Sequence, residues 1–182
     1  MRGSSVAVAV CLTFIHRAAA TLDIISLYTS SGATIVEASA TVILPSVPDP
    51  ITGDLSLWNA IQLDKDFIQG GSENAPAGLD YWTNLGSNWC NFACARTANA
   101  QVGKPVIAAP GTRVRTHCQG QKGIIFHIFV EYAARPCAAV PAHSWENVSV
   151  ILSSPNPNWK HPGGWNLGAT GGEMTTSDSG KT

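Results

Sequence analysis

Charge is scarce in this chain. Of its 182 residues only 13% are Asp, Glu, Lys or Arg, and the 11 basic and 12 acidic side chains leave a formal net charge of −1. So weak and balanced a field offers neither a broad basic face to nucleic acid nor an acidic one to cations. Nucleic-acid binding is excluded on that ground. Beyond the N-terminus there is no apolar run long enough to cross a bilayer as a helix. Helical amphipathic periodicity is missing as well, because the apolar stretches are short and β-branched. No histidine pair stands at ligand spacing and no two cysteines are separated by the two-residue gap common in zinc sites, so no metal or other cofactor is expected.

What is present begins with a leader. Arg2 precedes an apolar run over 6–15, and Ala18, Ala19 and Ala20 supply the small residues that signal peptidase accepts. The run is about half of the roughly 20 residues a membrane span needs, and His16 and Arg17 end it. The expected organisation is a signal peptide over 1–20 and one domain over 21–182, secreted and extracellular, with no membrane association in the mature form.

Export makes disulfides available. Cys11 leaves with the leader, and Cys90, Cys94, Cys118 and Cys137 remain as an even set, so two bridges are expected. Cys90 and Cys94 are roughly 13 Å apart if their segment is extended, too far to bridge each other. Each is expected to reach Cys118 or Cys137.

Strands separated by turns account for the rest of the domain. The stretch 35–44 reads as a first long strand, stopped by Pro45, Pro48 and Pro50. Segments 55–61 and 67–69 flank a turn at Asp64, Lys65 and Asp66, and 89–95 and 106–109 follow. After Pro110-Gly111 the alternation is clean: Thr112, Val114, Thr116 and Cys118 share one face, and Arg113, Arg115 and His117 the other. That basic row is expected to be a solvated sheet face. The stretch 124–132 is apolar on both faces apart from His127 and Glu131, which predicts a central, doubly covered strand, and 148–152 is another strand. Some seven short strands with turns between them predict an all-β sandwich.

Three stretches carry a resemblance. Leu55-Ser56-Leu57-Trp58 followed by Asp66-Phe67-Ile68-Gln69, then Val140-Pro141-Ala142-His143-Ser144-Trp145, then Gly171-Gly172-Glu173-Met174-Thr175-Thr176-Ser177-Asp178 together resemble fungal secreted proteins of the concanavalin A-like lectin/glucanase superfamily. The resemblance implies an antiparallel jelly-roll sandwich, and because such proteins continue into another strand where this sequence stops, a sandwich lacking its last strand. Trp58 and Phe67-Ile68-Gln69-Gly70 are more distantly similar to the glutamic peptidases, the eqolisin family. There a glutamine and a glutamate activate water against a peptide bond, one orienting it and stabilising the oxyanion, the other moving the proton. On that resemblance Gln69 is the glutamine, and Glu146 beside Trp145 is the nearest glutamate.

The leading expectation is a non-catalytic module that binds polysaccharide or glycoprotein glycan. Trp159 and Trp165 lie in a Gly/Pro-rich loop with Asn158, His161 and Asn166, and aromatic faces with nearby amides suit sugar rings. Trp58 and Trp89 fall in strand patterns and are expected to be buried. No Glu-x-Asp-x-Glu array of the glucanase type occurs. The alternative is an acid endopeptidase using Gln69 and Glu146. Asn147-Val148-Ser149 is a glycosylation sequon and marks Asn147 as a solvent-facing site.

Overall fold

The computed structural model describes residues 21–29, 32–51, 53–75, 85–96, 101–132, 140–156, 164–165 and 178. Among them there is no helix. The strands in chain order are β1 (Thr21–Tyr28), β2 (Ile35–Ile43), β3 (Leu55–Gln62), β4 (Phe67–Asn74), β5 (Trp89–Arg96), β6 (Gln101–Val102), β7 (Val106–Ala108), β8 (Arg113–Gly123), β9 (Ile125–Tyr132), β10 (Ser144–Leu152) and β11 (Gly164–Trp165). They make two antiparallel sheets packed as a sandwich, the expected all-β class. The large sheet runs β11-β1-β9-β3-β4-β5-β6 with β7 also on β5, and the small sheet is β10-β2-β8.

Alternation explains which side chains meet between the sheets. From β3, Leu55, Leu57 and Ile61 point inward, and from β2, Ala38, Ala40 and Val42 answer them, all essentially inaccessible. Two adjoining apolar clusters result. One joins Ile35, Ile61, Phe126 and Leu152, and the other joins Leu44, Leu55, Leu57, Trp89 and Val130. Trp89 is fully buried, as its strand pattern predicts, and its indole Nε1 donates to the Pro45 carbonyl at 2.8 Å. Trp58 is only half-buried.

β9 is the central strand the sequence predicts, paired to β1 on one side and β3 on the other. Phe126, Ile128 and Val130 face the core, and His127, Phe129 and Glu131 face the opposite side, yet all six are buried. The outer face of the large sheet is therefore covered at its centre. β1 is an addition to the strands expected, since the apolar spacing of 21–28 directly follows the leader and merges with it in sequence.

The basic row on β8 falls as expected. Arg113, Arg115 and His117 are exposed on the outer face of the small sheet, and Val114, Thr116 and Cys118 face inward. Arg113 pairs with Glu146, and His117 lies 2.9 Å from Glu37.

The cysteines depart from expectation. Cys94 is disulfide-bonded, to a partner outside the described residues. Cys90 and Cys118 are free and buried, so the two-bridge expectation gives way to one bridge among these positions. The reason is the pleat. Cys90 sits level with Glu73 on the outer face of the large sheet, whereas Cys118 belongs to the core between the sheets. A strand separates the two thiols, and burial removes the water that would favour their ionised forms. Cys90 is pushed up to about 12 by burial and the nearby Glu73, and Cys118 to about 11 by burial. Cys11 and Cys137 lie outside the described residues.

Candidate functional site

The outer face of the large sheet concentrates polar groups that the core could not hold. Pairing registers place them in three rows across the strands. Glu131 of β9, Ser56 of β3, Glu73 of β4 and Cys90 of β5 are level in the first. Phe129, Trp58, Gly71 and Phe92 form the second. His127, Ala60, Gln69 and Cys94 form the third.

Glu131 is the chemically unusual member. Its side chain is 4% exposed, and one carboxyl oxygen accepts from Trp58 Nε1 at 2.8 Å. Burial raises its pKa to about 7, the charge of Asp54 adds to the rise, and the Trp58 bond opposes it. At acid and weakly acid pH this is a protonated carboxyl inside a protein, a proton donor held ready. Trp58 is held in turn, stacked on Phe129 with ring centroids 3.9 Å apart and planes 21° from parallel. Gly71, level with Trp58, keeps that arrangement possible, because a Cβ there would lie 2.5 Å from the Trp58 Cβ and 2.9 Å from the Leu57 carbonyl oxygen.

Gln69 shares the face. It is 3% exposed and stands across Ala60 from His127. His127 is fixed at both ring nitrogens, with Nδ1 2.9 Å from Ser26 Oγ and Nε2 3.0 Å from Gln62 Oε1. If Gln62 accepts from Nε2–H, Nδ1 is the acceptor for the Ser26 hydroxyl. Burial lowers the His127 pKa to about 4, so the ring is neutral at ordinary pH.

Gln69 and Glu131 are two strands and four residues apart, roughly 16 Å between Cα atoms in a flat sheet. Both side chains are long enough to close part of that span.

The structure does not bring Gln69 to Glu146. Trp145 packs inward against both core clusters, so its neighbour Glu146 points out of the small sheet, where it pairs with Arg113. The two expected partners therefore look outward from opposite faces of the sandwich. Glu131 carried the missed signal: a glutamate in a strand with both faces covered must be a buried carboxyl. Of the expected glycan loop, Trp165 lies in β11, level with Ile25 of β1, and Asn158, Trp159, His161 and Asn166 lie outside the described residues. Asn147 is exposed, at a break in the register of β10 with β2.

No family model and no curated protein matches the chain. Two solved structures do, and both are glutamic peptidases. One is a member of the eqolisin family of peptidases in complex with the tripeptide Ala-Ile-His, 15% identical, with a TM-score of 0.34 over 73% of this chain and 80% of that one. The other is Scytalido-glutamic peptidase with a peptide-based transition-state analogue, 14% identical, with a TM-score of 0.34 over 74% and 81%. Similarity this slight assigns no role to any residue.

Proposed function

We propose that this protein is an acid-acting peptide hydrolase whose working pair is Gln69 and Glu131. The observation that carries the reading is the Glu131 carboxyl, buried, bonded to Trp58 and raised to about 7, on the sheet face that also presents Gln69. In the proposed reaction the Gln69 amide orients a water and its N–H donates to the developing oxyanion. Glu131 gives its proton to the departing amide nitrogen and recovers one from the attacking water, so the carboxyl is regenerated. Its proton is available below pH 7 and lost above. An extracellular setting belongs to the proposal, supported by the leader-like sequence over 1–20 and by a disulfide at Cys94.

A peptide-cleavage assay from pH 3 to 8 tests it. Glu131→Gln and Gln69→Ala are each expected to lower kcat/KM by about 100-fold or more, and Glu146→Gln to leave it unchanged. Wild-type protein with no cleavage of a mixed peptide pool at any pH would defeat the reading, as would full activity in Glu131→Gln. Glycan binding by the 159–166 loop is a separate proposal that rests on its Trp and Asn content alone.

A further inference from the structure

The two sheets are unequal, and the mismatch leaves a groove. β8 ends the small sheet and lies over β3 and β4 of the large one. The inner face of β5 and β7 extends past it. Ala93 on β5 and Val106 on β7 are exposed there, Val106 at 61%. A cleft of about 540 Å³ runs between this ledge and β8. Five consecutive residues of β8, 114–118, line it. Alternate side chains of a strand point to opposite faces, so an unbroken run of five means that the cleft is bordered by the strand's edge.

That edge is open. Leu44 N donates to the Thr112 carbonyl at 3.0 Å, and Leu44 and Thr112 continue the register in which Ile43 is level with Arg113. Hydrogen-bonded pairs alternate along an antiparallel ladder, so Val114, Thr116 and Cys118 bond to β2. The backbone N–H and C=O groups of Arg113, Arg115 and His117 therefore point into the cleft, and among the described residues β8 pairs with no strand but β2.

We infer that the free edge of β8 takes up an extended acidic peptide, which becomes a fourth strand of the small sheet. Its chemistry follows from its neighbours. Side chains on its outer face would stand beside Arg113, Arg115 and His117. Arg113 and His117 already face Glu146 and Glu37, so the cations offered to the peptide are Arg115 and Lys104, both lining a cleft that contains no acidic residue among its described lining. Glutamate or aspartate suits those positions. Side chains on its inner face would meet Ala93, Val106 and the groove side of Val114, where small apolar residues fit. A second copy of this chain is disfavoured as occupant, since β8 against β8 would set arginine beside arginine. Gln69 is among the residues lining the cleft and Glu131 is not, so the two proposals are told apart at Glu131: Glu131→Gln is expected to abolish cleavage and to leave the peptide's Kd unchanged.

The test uses a fluorescent peptide of about eight residues, a usual strand length, alternating Glu with Val or Ala. Anisotropy titration with the full chain is expected to give a Kd on the order of 10 to 100 μM that weakens with salt. A peptide with Lys in place of Glu is expected not to bind. Arg115→Pro removes a donor at the open edge and is expected to weaken binding about 10-fold or more. Val106→Asp, at a position that is 61% exposed, is expected to do the same by setting a carboxylate against the peptide's apolar side chains. Failure of the acidic peptide to bind at millimolar concentration overturns the inference. So does equal binding of the Lys peptide, or binding that Val106→Asp leaves unchanged. Sedimentation showing a dimer that the peptide cannot dissociate would assign the edge to a second copy instead and overturn it as well.

Discussion

Two buried thiols show how much a single side chain's position decides here. Cys90 and Cys118 are both nearly inaccessible, but one faces outward from the large sheet and the other lies in the core. Facing opposite sides of the large sheet, they are not placed to form a disulfide, which needs Cβ vectors that point toward each other. Their raised pKa values, about 12 and about 11, remove the thiolate that alkylating reagents attack. Iodoacetamide is therefore expected to leave both unmodified in the native protein and to label both once the unreduced protein is denatured. Intact mass reads the result. No label in the denatured, unreduced protein would mean that both thiols are bridged. Counting cysteines could not reveal this, because parity predicts that bridges form and says nothing about which face of a sheet each residue occupies.

At the scale of the element, β9 holds two ionisable groups four residues apart on one face, and their titrations oppose each other. His127 is lowered from 6.5 to about 4, so the unfolded chain binds more protons than the folded one between those values, and stability rises with pH there. Glu131 is raised from 4.5 to about 7, so the folded chain binds more protons between those values, and stability falls as pH rises. Each window corresponds to about 3 kcal/mol at most, and over most of the range from pH 4.5 to 6.5 the two slopes cancel. Wild-type stability should be nearly level there. Glu131→Gln keeps an oxygen to accept from Trp58 and removes the carboxyl titration. Its melting temperature is expected to climb with pH from 4 to 6.5 and to exceed wild type above pH 7. A variant that tracks wild type at every pH would show that Glu131 is not desolvated in the folded protein.

β9 also marks the limit of what the sequence made legible. Its centrality could be read from an apolar run on both faces, and β3, β5 and β8 from alternation and the turns beside them. The polar rows could not. Glu131, Trp58 and Gln69 come from three strands, and only the pairing of β9 with β3 and of β3 with β4 sets them on one face. Glu146 drew attention because it stands next to Trp145 in the chain. Adjacent strand residues face opposite ways, so that proximity separates them.

For the molecule as a whole, the difference between the sheets leaves the small one with edges at which copies of the chain could associate. Unpaired edges template association unless something blunts them. At the β8 end the blunting is electrostatic, through Arg115, since Arg113 and His117 already face Glu146 and Glu37. At the other end β10 is the edge among the described residues, and there the ladder to β2 shifts register between Glu146 and Ser149, with Asn147 at a φ of 50°. A residue in that left-handed conformation breaks the flat row of donors and acceptors, and asparagine adopts it at lower cost than most residues. The same exposed asparagine begins the sequon Asn147-Val148-Ser149, beside Val148, which is 42% exposed. A glycan there would cover an apolar side chain and an open edge together. Protein exported from a eukaryotic host is expected to lose one glycan's mass on endoglycosidase treatment, and Asn147→Gln to lack that mass shift. The unglycosylated variant should begin to aggregate at lower concentration or temperature, as followed by light scattering, while its far-ultraviolet circular dichroism is unchanged. A mass shift that survives Asn147→Gln would place the sugar elsewhere. Equal scattering from the two forms would leave the bulge at Asn147 as the feature that protects the β10 edge.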